Sequence, residues 1–244
     1  MSWKVAIIVA ALVFPVCAGA DVYVRREAHT DGYYAGGSMN PPDDSVVEIW
    51  IGDKRMAYVN PGMKVVVDAE KKTLVFVNRR DNTYVKTALP LDLASLFSEE
   101  ELGTLQVYKR AGSVKKTEAG KKIGKRDCTA YQTRDWIDFE GGRVAERSAE
   151  IWVTTDVPFD LKAFDTMYAN MRKLGNFSDD YMEQLSLIRG FEMAGEQTSF
   201  NESVAVTTTS SVVELTEKDP APGTYSVPDG CTEKELLTLQ DLRN

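Results

Sequence analysis

Three kinds of side chain in this sequence could carry a function: clustered carboxylates, a pair of downstream thiols, and large apolar residues at helical spacing. The carboxylates occur as Asp43-Asp44, Glu99-Glu100-Glu101 and Asp179-Asp180. Acid–base catalysis needs such a group set beside a nucleophile, a base or a metal. Adjacent acids more commonly solvate a turn or a helix end, and His29, the single histidine, reads as a surface residue near the N-terminus. Gly120–Arg126 is Gly-Lys-Lys-Ile-Gly-Lys-Arg, which lacks both the four-residue glycine spacing and the hydroxyl residue of a phosphate loop. It reads as a basic hairpin turn. No metal-ligand or CxxC spacing occurs, so no enzyme chemistry, metal or cofactor is expected.

The apolar set is more informative. Phe164, Met167, Tyr168, Met171 and Leu174 recur on one face of a helix within Asp160–Gly195, and a second helix capped by Ser178 carries Met182, Leu185 and Ile188. Flexible thioethers adapt to variable apolar shapes, as a binding surface requires. Ordinary packing beneath a sheet is the alternative.

The chain opens with one cation, Lys4, an apolar run from Val5 to Val16 and Ala18-Gly19-Ala20 before Asp21. This is the pattern of a secretory signal peptide, predicting a leader at 1–20 and one exported domain at 21–244, periplasmic or secreted. Acylation at Cys17 fits less well, because Phe14 and Val16 occupy the places where a lipoprotein signal carries leucine and a small residue. Removal of the leader leaves Cys128 and Cys231, and two thiols in an exported protein predict one disulfide. That bridge would contribute on the order of 4–5 kcal/mol in the chain-entropy model. Two free thiols are the alternative. With 29 basic against 37 acidic residues, a formal charge of −8, the protein is not suited to nucleic acid.

Positioning these residues falls to a strand-rich chain. Val46–Ile51, Arg55–Val59, Lys64–Asp68, Thr73–Asn78 and Thr83–Thr87 read as a meander, separated by Gly52-Asp53, Asn60-Pro61-Gly62, Ala69–Lys72 and Asp81-Asn82. Leu91–Leu102 reads as helix. Ser113–Glu118, Cys128–Arg134 and Arg143–Thr154 form a second strand group, followed later by Val204–Leu215 and Thr224–Val227. Thr232 and Glu235 form a capping box for a final helix. In the meander both strand faces carry apolar residues, which predicts that both are covered, one by helices and the other by something else. Glu48-Ile49-Trp50-Ile51 is echoed by Glu150-Ile151-Trp152-Val153, a hint of a duplicated sheet.

Several segments together resemble a family of exported bacterial proteins with a lipoprotein-carrier (LolA-like) fold. They are Thr30–Tyr34, Glu48–Asp53, Thr83-Tyr84-Val85 with Leu89-Pro90, Lys121–Tyr131, Glu150–Pro158 and Gly223–Pro228. The resemblance implies an α+β fold: a strongly curved antiparallel half-barrel of about ten or eleven strands, with helices over its concave face. It further implies a lipid or other apolar ligand, or an acylated one, between sheet and helices. Trp50, Phe76 and Trp152 would line the sheet side, and Phe164, Met167, Met171 and Met182 the helix side. The competing expectation is an envelope protein-interaction or stress-sensor module without a small-molecule ligand.

Overall fold

The computed structural model describes residues 20–201 and 204–242. The expected leader, apart from Ala20, and with it Cys17, lies outside the described residues. Strand dominates, with few helices. The strands are β1 (Asp21–Thr30), β2 (Tyr33–Ala35), β3 (Ser38–Asn40), β4 (Asp43–Ile51), β5 (Arg55–Val59), β6 (Met63–Asp68), β7 (Thr73–Asn78), β8 (Thr83–Ala88), β9 (Ala111–Ile123), β10 (Arg126–Phe139), β11 (Gly142–Thr154), β12 (Phe191–Asn201), β13 (Val204–Lys218) and β14 (Thr232–Glu233). The helices are α1 (Glu99–Val107), α2 (Leu161–Arg172) and α3 (Asp179–Leu185). Twelve strands form one open sheet in the order β14-β8-β7-β6-β5-β4-β1-β13-β12-β11-β10-β9, while β2 and β3 make a separate hairpin. The sheet is mixed, because β14 joins β8 in parallel while the other neighbours are antiparallel.

Two meanders, β4–β8 and β9–β13, are joined edge to edge through β1, which pairs with β4 on one side and β13 on the other. The first meander follows from local chemistry. Asn60 Oδ1 accepts from the backbone amides of Gly62 and Met63 at 2.9 and 2.8 Å, and Asn82 adopts a φ of 52°, a conformation asparagine tolerates well. β1 has no comparable local signal. Its Arg25-Arg26-Glu27 run resembles a solvated terminus, yet the strand is central. β12 is a second strand beyond expectation, in a stretch whose Met193 reads as part of the helical region. The echoed motifs occupy unequal places, β4 beside the centre and β11 within the second meander, so they do not mark a duplicated sheet.

Pairing register sorts the side chains into faces. Across the first meander Val24, Ile49, Tyr58, Val65, Phe76 and Val85 stand opposite one another in turn and belong to the main core. The alternate row runs Tyr23, Trp50, Ala57, Val66, Val75 on the other face. Helices meet the first face: α2 packs against β5 and β6, and α3 against β9. Asp160 caps α2 by accepting from the amides of Lys162 and Ala163, and Asn176 in the left-handed region (φ 54°) breaks the chain before Ser178 caps α3. α1 begins later than the sequence suggests, because Ser98 supplies its cap, and only a short 3-10 turn, Leu93–Ser95, precedes it.

The other face is covered at this end by the C-terminal segment. Tyr225 donates to Asp21 Oδ2 at 2.6 Å beneath the Arg55 guanidinium, and the buried Lys64 ammonium donates to the carbonyls of Gly223 and Ser226 at 2.9 and 2.7 Å. Residues 224–227 therefore form a turn rather than a strand. The chain then rounds the β8 edge. Thr232 donates its amide to Asn82 O and Lys234 to Tyr84 O, so the expected capped helix is replaced by β14, which satisfies the open edge of β8. Beyond it Leu237 enters the main core on the helix side. Lys64→Ala should loosen this strap at a cost of about 1–3 kcal/mol, the loss of charge-assisted hydrogen bonds. Faster proteolysis between 219 and 230 is the readout, and an unchanged cleavage rate would contradict the assignment.

The expected disulfide is absent. Cys128 is buried on β10, near one edge of the sheet, whereas Cys231 precedes β14 at the opposite edge. Both thiols are free, and the Cys128 Sγ points to the carbonyl of Arg126 at 3.7 Å. Among the described residues no helix is long and apolar enough to cross a membrane.

Candidate functional site

Seven consecutive strands, β5-β4-β1-β13-β12-β11-β10, contribute side chains to one cavity of about 530 Å³, with Tyr168 and Arg172 of α2 and Tyr181 and Leu185 of α3 facing them. A second cavity of about 420 Å³ adjoins it, lined by Met63, Val65, Phe76, Met171, Leu174 and Leu242. Tyr58, Arg147, Tyr168, Arg172 and Phe177 belong to both walls, so they form the partition between an apolar compartment and a more polar one. Each volume lies within the roughly 300–1,000 Å³ usual for small-molecule sites.

Arg26, Arg147 and Arg172 line the polar compartment, and Arg110 lines the adjoining one. Arg26 is paired with Glu192 at 3.1 Å and donates to the Glu192 carbonyl at 2.8 Å. Each partner sits at a break in strand register, Arg26 opposite the extra Val213 of β13 and Glu192 beside the extra Met193 of β12. Bulges of this kind re-aim side chains next to functional sites. The Arg26 Nε remains buried without a hydrogen-bond partner. Asp135, itself buried, accepts from Arg110 at 2.7 Å and from Arg147 at 3.0 and 3.1 Å, so two guanidinium groups share one carboxylate. Burial, reinforced by Arg147, pushes Arg110 below its ordinary pKa. Arg172 lies over the Tyr168 ring at 4.7 Å and donates to Leu185 O at 3.3 Å. Burial and the neighbouring Tyr168 push the Tyr58 hydroxyl up to about 12, so it stays a neutral donor.

The seven apolar residues expected to line one site are dispersed. Phe76 and Met171 line the apolar compartment, although Phe76 is fully buried. Phe164 and Met167 are core: Phe164 packs against Phe159, Tyr168 and Phe191, and Met167 is 2% exposed. Met182 lines a separate groove between α3 and the segment before α1. Trp152 packs on the main core beneath the Lys121 ammonium, outside both cavity walls. Trp50 falls on the opposite face, because it alternates with the core residues Ile49 and Ile51, and its ring packs at a tilt against Tyr23, 4.7 Å away, under Lys218.

The carboxylate clusters stay outside this site. Glu99–Glu101 and Asp179-Asp180 occupy the first turns of α1 and α3, where acids favour the helix dipole. Asp44 accepts from the exposed His29 at 2.7 Å and raises its pKa. Gly124, at φ 59°, turns the β9–β10 hairpin within the basic segment. Among the described residues no group of His, Cys, Asp and Glu could hold a metal ion. Of the residues that build the polar compartment, Arg26, Asp135, Arg147 and Arg172 escape a reading based on hydrophobicity. For Arg26 and Arg147 the signal was an arginine at an inward-facing strand position, between Val24 and Ala28 or before Ala149 and Ile151. No protein-family model matches this chain, and no curated protein matches it.

Proposed function

We propose that this protein is an exported binding protein for a lipid or other apolar-tailed ligand, held between a curved sheet and the helices over its concave face, as in the LolA-like carriers that it resembles. The observation that carries the reading is the single cavity wall built by seven adjacent strands and faced by α2 and α3. A flat sheet would spread seven strands over roughly 29 Å at the usual spacing, too wide for one such cavity, so the wall implies curvature. Adjoining apolar and polar compartments suit a molecule with a tail and a head, and no step in the reading requires chemistry. Burial of the tail would contribute roughly 25 cal/mol per Å² of apolar surface.

Nile red, a neutral apolar dye, tests the reading by fluorescence titration of the purified protein. Met171→Asp should keep the fold and weaken dye binding about tenfold, or 1.4 kcal/mol, since this half-buried residue faces the apolar compartment. Met167→Asp should instead unfold the protein, because it places a carboxylate in the closed core. Absence of dye uptake by the wild type would move the assignment to the second reading, an envelope protein-interaction module. That reading draws on the β2–β3 hairpin, whose Tyr34 and Met39 are 66% and 62% exposed.

A further inference from the structure

We infer that the ligand of this cavity carries an anionic head, a carboxylate or phosphate, seated in the polar compartment against Arg172 and Arg26 with its tail in the apolar one. The inference rests on the reading above and adds the chemistry of the head group. Charge carries the argument. The chain as a whole is acidic, at −8, yet Arg26, Arg110, Arg147 and Arg172 converge on these two compartments. Among the described residues Asp135 and Glu192 oppose them from this face of the sheet, and Asp165 of α2 is an electrostatic neighbour of Arg172; Glu196 stands between the inward-facing Gly195 and Gln197 and alternates to the far side, where it also lines a surface depression with Lys115 and Arg134. Four arginines against these three carboxylates leave the two compartments together one positive charge in excess in a half-buried setting, where an unmatched cation is costly without an anion.

Two donors are free to take that anion. The buried Nε of Arg26 has no partner even though the rest of its guanidinium is committed to Glu192. Arg172 has a single hydrogen bond, to a carbonyl, lies over the Tyr168 ring, and has Asp165 as an electrostatic neighbour without a hydrogen bond to it. Tyr168 is also an electrostatic neighbour of Arg26, which places the two arginines around one aromatic side chain. Guanidinium groups bind carboxylate and phosphate oxygens through charge-assisted hydrogen bonds about twice as strong as neutral ones. Arg172 belongs to the partition, at the junction with Phe76 and Met171, so a head held there sends its tail directly among apolar side chains.

The test compares dodecanoate, dodecyl phosphate and dodecanol by isothermal titration on the full protein, below their micelle concentrations and at a pH where the carboxylate is ionised. The two anions should bind at least tenfold more tightly than the alcohol. Arg172→Gln should erase most of that advantage while leaving dodecanol affinity unchanged. Because Arg26→Gln alone would strand Glu192, the double variant Arg26→Gln/Glu192→Gln serves as the second probe and should also lose anion preference. Equal affinity for the alcohol and both anions in the wild type would overturn the head-group inference while the apolar-ligand reading stands. Failure of all three, together with failure of Nile red, would remove both.

Discussion

Asp241→Ala should destabilise the protein by about 3–5 kcal/mol and free the C-terminal strap, because it strands partners of a buried carboxylate. Asp241 Oδ1 accepts from Asn78 at 2.7 Å and from Lys234 at 3.0 Å, while Oδ2 accepts from Lys234 at 2.8 Å and from the Thr238 amide and hydroxyl at 2.7 and 3.0 Å. Its side chain is 2% exposed. Through it the tail is tied to β7 on the helix side, after the same tail has covered the other face through Lys64 and Tyr225. For a chain of this size the loss corresponds to a fall in Tm on the order of 10 °C. Thermal denaturation followed by circular dichroism measures it, and a Tm within one or two degrees of wild type would refute the clasp.

The same carboxylate predicts an acid dependence. Burial works to raise the pKa of Asp241, but the bonds from Lys234, Thr238 and Asn78 outweigh it and hold the group below its ordinary value. A folded pKa below the unfolded one stabilises above the unfolded value, near about 4, and this contribution is lost as pH falls through the folded pKa. The Tm difference between wild type and Asp241→Ala should therefore be full at neutral pH and shrink below about pH 4.

Asp135→Ala is the second large effect, again about 3–5 kcal/mol, since Arg110 and Arg147 would be left facing each other without their shared anion. The damage would reach α3. Arg110 also exchanges backbone hydrogen bonds with the segment entering that helix, its amide donating to Asn176 O at 2.9 Å and its carbonyl accepting from Ser178 at 2.7 Å. Chemical denaturation gives the free energy. Asp135→Asn, which keeps the shape and removes the charge, should cost less and increase the positive excess of the cavity. Dodecanoate affinity of that variant should rise several-fold under the head-group inference, and a fall would contradict it.

Local chemistry made much of the fold legible. β-branched and aromatic runs set β4 to β8 to within a few residues, asparagine and glycine placed the turns, and Asp160, Ser178 and the αL Asn176 delimited α2 and α3. Apolar residues on both strand faces correctly demanded a second cover, although they could not name the C-terminal strap as that cover. Of the seven residues expected to line an apolar cavity, Phe76 and Met171 line the apolar compartment of the candidate site. The polar half was not legible: Arg26 and Glu192 lie 166 residues apart, and each looks like a solvated charge until register turns it inward.

What the sequence determined alone is the type of the first meander's strands and of α2 and α3, because backbone propensity, capping and amphipathic period act within a few residues. Tertiary structure decided which strands became neighbours. It placed the charged β1 between two meanders, sent the tail around β8 instead of into a helix, and set Cys128 and Cys231 near opposite edges of the sheet. Those outcomes depend on which distant segments can satisfy a strand edge or bury a face together, and a pairing energy spread over more than a hundred residues leaves no mark in a local window.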